Sequence, residues 1–212
     1  MVEAGVKRYP SRNDALLALA TAPLYLAAVG RYGLKIAVML AVSAGIGLVV
    51  ELVAARLRRS PAGLLGYPAW LLLPLVLPPA LPLWMVGVAA FFGTGIAVGY
   101  FGGHGRQVAS PVALGWAFAA LSFATAFSFS GTYPFPGIMD GFTRWTAALP
   151  VIDHPIELLE LRMPVALQAI LAGAFPQSPG NALPLLTLAC GVILLALRAV
   201  DARTSVSFIA TT

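Results

Sequence analysis

Charged residues, cysteine and histidine are scarce in this chain, and each scarcity excludes a class of protein or site. Only 10% of the 212 residues are charged, whereas a soluble domain carries about 25%. Cys190 is the only cysteine, which excludes a disulfide framework, a cysteine zinc site and a cysteine-ligated iron–sulfur cluster within this chain. His104 and His154 have no second ligand at helical spacing, so we expect no haem.

Hydrophobic residues dominate instead. They make up 59% of the chain, and the mean hydropathy is +0.89. A stretch of about 20 apolar residues is enough to cross the hydrocarbon core of a bilayer. We therefore predict an all-α integral membrane protein with about six transmembrane segments. The predicted segments are 15–29, 33–54, 64–77, 82–100, 111–129 and 183–200.

Proline and glycine interrupt this pattern at two places. Four prolines in and just after segment 64–77 predict a broken helix, and a glycine-rich stretch at 101–106 predicts a re-entrant hairpin. Non-helical backbone at membrane depth is tolerated only where protein buries it or where it lines a cavity. The hairpin is therefore a candidate cofactor contact, and the alternative is a turn that only joins two helices. The hairpin candidates are Gly102, Gly103, His104, Gly105 and Arg106.

The thirteen Lys and Arg residues lie at the ends of predicted helices and form no patch with interleaved aromatic residues. The net charge of +5 therefore does not indicate a nucleic-acid partner. The positive-inside rule favours a cytoplasmic N-terminus and C-terminus, which leaves a long loop, 130–162, outside. We expect a polar tail at 1–14 with no cleavable signal peptide evident, a single transmembrane domain at 15–203, and a C-terminal tail at 204–212.

Glu51 lies inside the second predicted segment, about one turn from its inner end. An intramembrane carboxylate is costly and is often part of an ion or proton relay. The alternative is a carboxylate that snorkels to the interface and pairs with a neighbour such as Arg56 or Arg58. Both interpretations stay open from the sequence.

A series of motifs then follows in order along the chain: Leu77-Pro78-Pro79, Phe101-Gly102-Gly103-His104-Gly105, Ser110-Pro111-Val112-Ala113 and Ser122-Phe123. In this order and spacing they resemble the NqrB/RnfD family, the membrane subunits of sodium-pumping NADH:quinone reductase and of the Rnf complex. The turn Ser178-Pro179-Gly180-Asn181, before an apolar helix, is similar to a glycine-rich turn of the family. The family proteins are longer and consist of two related halves, and this chain resembles the first half.

The sequence Asp140-Gly141-Phe142-Thr143-Arg144-Trp145-Thr146 is similar to the family's flavin-attachment sequence, whose last threonine carries FMN through a phosphoester. The resemblance implies that Thr146 is the acceptor, that Asp140 helps a flavin transferase to recognise it, and that Thr143 is a further candidate. The alternative is an ordinary surface loop in which Thr143 or Thr146 caps a short helix.

The resemblance implies an electron-transfer subunit that carries or contacts FMN within a larger redox complex in the bacterial inner membrane. Its expected partners are membrane lipid and other membrane redox subunits or a second copy of itself. Arg144 and Trp145 stand where the family has small residues, which favours a second interpretation: an accessory scaffold subunit without flavin. A third is a small vitamin or solute transporter component, which fits the size and hydrophobicity.

Overall fold

A computed structural model describes residues 12–58, 67–96, 110–128, 134–135, 139–146 and 178–197. Within these ranges the chain forms seven α-helices and two short 3₁₀ helices, and no strand. The prediction of an all-α protein is confirmed for this part of the chain. The α-helices are α1 (Arg12–Tyr32), α2 (Lys35–Arg58), α3 (Tyr67–Val76), α4 (Leu83–Thr94), α5 (Pro111–Ser122), α6 (Ala124–Ser128) and α7 (Pro184–Ala196).

Two of the described helices are long and apolar enough to cross a membrane. They contain the apolar stretches Ala15–Tyr32 and Lys35–Leu57. Three shorter apolar helices accompany them, at Leu83–Thr94, Pro111–Ser122 and Pro184–Ala196. The number of six spans, and the tails and loops assigned around them, stay predictions.

The boundary between the first two helices differs from the predicted one. The sequence predicts the second segment from residue 33, but α2 begins at Lys35 because Gly33 has a φ of +104°. The amide of Gly33 donates to the carbonyl of Val29 at 2.9 Å, which is a helix ending that suits glycine. Helix α1 therefore continues to Tyr32, and residues 33–34 form the α1–α2 turn.

The predicted proline break lies between α3 and α4. Pro74 has no N–H to offer to the carbonyl one turn earlier, and the hydroxyl of Tyr25 donates to the carbonyl of Leu71 in this disturbed turn at 2.5 Å. The carbonyl that loses its donor at Pro74 is that of Trp70, so the Tyr25 hydroxyl joins α1 to α3 one residue further along. Helix α3 ends before Pro78-Pro79. Helix α4 begins where the amide of Met85 donates to the carbonyl of Pro82 at 3.0 Å.

Helices α4 and α5 cross closely at a pair of glycines. A Cβ atom on Gly93 would lie 2.5 Å from the carbonyl oxygen of Pro111, and one on Gly115 would lie 2.8 Å from that of Ala89. Near this crossing the rings of Phe92 and Phe118 stack with their centroids 3.7 Å apart. Small residues let membrane helices approach in this way. Close packing therefore stabilises these two short helices.

At one end of the bundle, several irregular segments of the described residues meet. The amino group of Lys35, at the α1–α2 turn, donates to the carbonyl of Ala80 in the proline break at 3.0 Å. The 3₁₀ helix Pro179–Asn181 packs there too, because a Cβ on Gly180 would lie 3.0 Å from the carbonyl oxygen of Leu75. We call this the turn end of the bundle.

Replacing Gly93 by alanine should destabilise the bundle, because the new methyl group meets backbone atoms that cannot rotate away. Overpacking of this kind costs about 1–3 kcal/mol. Gly95→Ala is the matched control, since nothing lies within 4 Å of its Cβ position. Unfolding of the purified protein by heat or sodium dodecyl sulfate in detergent micelles measures the difference. Equal stability of the two variants would contradict the close crossing.

Candidate functional site

Residues 139–146, the docked segment, lie at the turn end of the bundle. They begin with a 3₁₀ helix, Asp140–Thr143, in which the hydroxyl of Thr143 donates to the carbonyl of Asp140 at 3.3 Å. The residue at the N-cap is Met139, which makes no side-chain cap bond. Thr143 and Thr146 therefore do not cap the start of Asp140–Thr143, and whether Thr146 caps a helix beyond residue 146 lies outside the described residues.

Two main-chain hydrogen bonds tie the docked segment to the start of α2. The amide of Leu34 donates to the carbonyl of Arg144 at 3.0 Å, and the amide of Lys35 donates to the carbonyl of Trp145 at 2.8 Å. The first amides of a helix have no partner inside the helix and carry a partial positive charge. The two carbonyls before Thr146 thus occupy the polar start of α2.

Further contacts fix the same segment from the side of α1. Gly141 is buried against the carbonyls of Val29 and Gly30, so closely that a Cβ on it would overlap both oxygens. The amide of Phe135 donates to the carbonyl of Arg31 at 2.7 Å. The guanidinium of Arg144 lies 5.1 Å from the centre of the Phe135 ring, a cation–π distance. The ends of α1 and α2 together hold this segment.

The side chains of Asp140, Thr143 and Thr146 are exposed on the docked segment. The three residues of the motif that resembles a flavin-attachment sequence are thus all exposed on this one short segment. A threonine at an exposed position on a fixed backbone is accessible to a modifying enzyme from the surface. The guanidinium of Arg144 packs over the ring of Phe135. This contact accommodates the large Arg144 side chain beside Thr146.

Glu51 lies far from this surface. It is 5% exposed on α2, about 24 Å along the helix axis from Lys35 at 1.5 Å per residue. The same face of α2 carries Ser43 and Gly47, and the indole of Trp70 packs against Gly47. Ser43 and Trp70 line a gap with Thr94 that is too narrow for a water molecule. The structure thus does not join Glu51 to the docked segment, and its relay role stays a prediction.

The hairpin candidates Gly102, Gly103, His104, Gly105 and Arg106 lie outside the described residues. The described residues form an open groove of about 370 Å³ between α2 and α4. It offers no charged side chain with which to orient a flavin ring or bind a phosphate, so we do not assign it to the cofactor. Its lining residues are Val42, Ile46, Leu83, Trp84, Gly87, Val88 and Phe91.

Sequence reasoning missed the residues that hold the docked segment. Gly33, Gly141 and Phe135 act through backbone contacts or ring packing, and residue type alone does not reveal such partners. One signal was present: a glycine between two apolar helical stretches, as at Gly33, is typical of a helix end with positive φ. No comparable pattern marks Phe135.

The sequence of the chain matches a known membrane family. The sequence profile of the NQR2, RnfD, RnfE family matches residues 8–212. The chain belongs to the NQR2, RnfD, RnfE family. This places it in a family of membrane proteins, in agreement with its apolar helices.

Individual relatives are subunits of ion-translocating oxidoreductase complexes. The RnfD subunit of the ion-translocating oxidoreductase complex of Haemophilus ducreyi is 26% identical over 110 residues, which is 50% of this chain and 32% of the relative. The NqrB subunit of the Na(+)-translocating NADH-quinone reductase of Klebsiella pneumoniae is 34% identical over 128 residues, 59% of this chain and 30% of the relative.

The NqrB subunit of the same reductase from Haemophilus influenzae is 38% identical over 78 residues, 37% of this chain and 16% of the relative. The matched part therefore spans about a third or less of each of these family members. The similarity is modest but agrees with the family profile.

The docking contacts predict slow hydrogen exchange at two amides that a helix alone leaves open. The amides of Leu34 and Lys35 should be protected in the wild-type chain because they bond to the docked segment. Gly141→Ala should raise their exchange rates, since its methyl group overlaps the carbonyls of Val29 and Gly30. Hydrogen–deuterium exchange with mass spectrometry measures both.

The amide of Ala37 serves as internal control, because it bonds to Leu34 within the helix start and not to the docked segment. Gly191→Ala, with nothing within 4 Å of its Cβ position, is the control variant. Unchanged exchange at Leu34 and Lys35 in Gly141→Ala would show that the segment is not held as described.

Proposed function

We propose that the chain is a flavin-carrying electron-transfer subunit of an ion-translocating membrane redox complex, with FMN attached to Thr146. The observation that carries this proposal is the exposed motif Asp140–Thr146 on a backbone fixed by the start of α2. Family membership and the names of the relatives support the redox and ion-translocating setting. When bound, FMN supplies one-electron transfer, and the protein supplies its position and electrostatic surroundings.

Attachment requires an activated flavin. Ester formation between a free phosphate and a hydroxyl releases water and is unfavourable in water, so we propose FAD as the donor. The hydroxyl oxygen of Thr146 forms the new bond to the flavin-side phosphorus, the pyrophosphate bond breaks, AMP leaves and the hydroxyl proton passes to solvent. No electrons are exchanged in this step.

The surroundings of Thr146 give its neighbours separate roles. Asp140 is exposed at the start of the 3₁₀ helix, where a modifying enzyme can recognise its carboxylate. Arg144 is held over Phe135 beside the acceptor, and its positive charge suits a neighbouring phosphate. We propose the hairpin 102–106 as a second cofactor contact and Glu51 as an intramembrane carboxylate of the ion path.

We propose the bacterial inner membrane as the location, with both termini in the cytoplasm and 130–162 outside. The docked segment then faces the outside, together with the α1–α2 turn. Because the chain matches only part of each relative, we propose that it works with other membrane redox subunits or with a second copy, surrounded by lipid.

An accessory scaffold without flavin is the second candidate function. Arg144 and Trp145 favour it, because both side chains are large and exposed immediately before Thr146 and can obstruct a transferase. This function keeps the fold and its packing surfaces but not the cofactor. It requires no modification of the docked segment.

Thr146→Ala should abolish covalent flavin, whereas Thr143→Ala should retain it, because only the hydroxyl of Thr146 forms the ester. The full chain is produced with a flavin transferase, purified and run on a denaturing gel, which removes non-covalent flavin. In-gel fluorescence and mass spectrometry of the 139–149 peptide report the modification.

Two outcomes contradict the proposal. Fluorescence that persists in Thr146→Ala would place the flavin on another residue. A dark wild-type band, with the 139–149 peptide unmodified, would leave the scaffold function.

A further inference from the structure

We propose that the α1–α2 turn presents Thr146 to the modifying enzyme, so that flavin is attached to the folded, membrane-inserted chain and not to an extended segment. This inference rests on the proposed attachment of FMN to Thr146. It assigns Gly33 as a positioning residue, which acts through the backbone of the docked segment and touches no reacting atom.

Two hydrogen bonds hold the backbone directly before Thr146. They join Leu34 to the carbonyl of Arg144 and Lys35 to the carbonyl of Trp145, at 3.0 and 2.8 Å. These are the two peptide groups directly before Thr146. The amides that begin α2 therefore fix the backbone position of Thr146 relative to the helices.

Gly33 makes this arrangement possible. Its φ of +104° is a conformation that other residues rarely adopt. A Cβ at this position would lie 2.7 Å from the carbonyl oxygen of Trp145 and 2.9 Å from that of Arg144. Any side chain at Gly33 therefore pushes against the same two carbonyl groups that α2 binds.

Helix α1 holds the segment independently of α2. Gly141 packs on the carbonyls of Val29 and Gly30, and the amide of Phe135 donates to Arg31 at 2.7 Å. The guanidinium of Arg144 in turn lies over the Phe135 ring. Contacts from both helices converge on one short stretch, which leaves its polar side chains exposed. A modifying enzyme that approaches from outside meets a formed surface.

The experiment compares Gly33→Ala with Gly45→Ala in the full chain, co-produced with a flavin transferase in membranes. Nothing lies within 4 Å of the Cβ position of Gly45, so this control adds the same methyl group without touching the docked segment. Forcing a methyl group into packed atoms should shift the docking equilibrium by about 5- to 150-fold. We expect the covalent flavin per folded molecule to fall in Gly33→Ala and to stay unchanged in Gly45→Ala.

A second readout is independent of flavin. Trypsin cleaves the peptide bond after an arginine. In the bond between Arg144 and Trp145, the carbonyl oxygen of Arg144 accepts a hydrogen bond from the amide of Leu34. We expect slow cleavage at Arg144 in the wild type and in Gly45→Ala, and cleavage faster by about 5- to 150-fold in Gly33→Ala. Peptide mass spectrometry identifies the cut, and size-exclusion chromatography in detergent identifies folded material.

If Gly33→Ala does not fold, Gly141→Ala takes its place in the comparison. This substitution weakens docking through a change in the docked segment itself, and it leaves the sequences of α1 and α2 unchanged. Low flavin and fast cleavage in either folded variant support the inference. Wild-type flavin levels in folded Gly33→Ala and Gly141→Ala overturn it, as does cleavage at Arg144 that is equally fast in all variants. Among the outcomes of this comparison, only a dark wild-type band overturns the proposed function as well.

Discussion

The structure depends on the way in which the first amides of α2 are satisfied. A helix leaves its first amides without internal partners, so the start of α2 needs acceptors from outside the helix. Here the carbonyls of Arg144 and Trp145 accept from Leu34 and Lys35. One pair of backbone bonds therefore completes α2 and at the same time immobilises the segment that leads to Thr146.

The proline break is stabilised in a related way. The prolines between α3 and α4 remove amide donors from the helix ladder, and the amino group of Lys35 reaches the carbonyl of Ala80 in this break. The hydroxyl of Tyr25 reaches the carbonyl of Leu71 within α3. Lys35 thus contributes its backbone amide to the docked segment and its side chain to the break. Through these two contacts Lys35 joins the docked segment to the proline break at the turn end of the bundle. The turn Pro179–Asn181 packs at the same end.

Much of the fold was predictable because its signals are local. Apolar stretches located the helices, prolines located the break between α3 and α4, and Ser110-Pro111 marked the start of α5. The boundary at Gly33 was misplaced by two residues because glycine is compatible with an apolar stretch until its φ is known. The motif at 140–146 was found from its residue types, but its attachment to α1 and α2 was not. Backbone hydrogen bonds between distant segments leave no side-chain pattern to read.

The sequence by itself determined that this is a helical membrane protein of the NQR2, RnfD, RnfE family with an acceptor-like motif at Thr146. Composition and motif residues are enough for that, because transfer of apolar side chains into lipid and the chemistry of a threonine hydroxyl do not depend on distant contacts. Only the tertiary structure decided that the motif docks on the α1–α2 turn and that Glu51 lies far from it. The physical reason is that any residue type can make these main-chain bonds, so only the packed arrangement of the helices selects the partners.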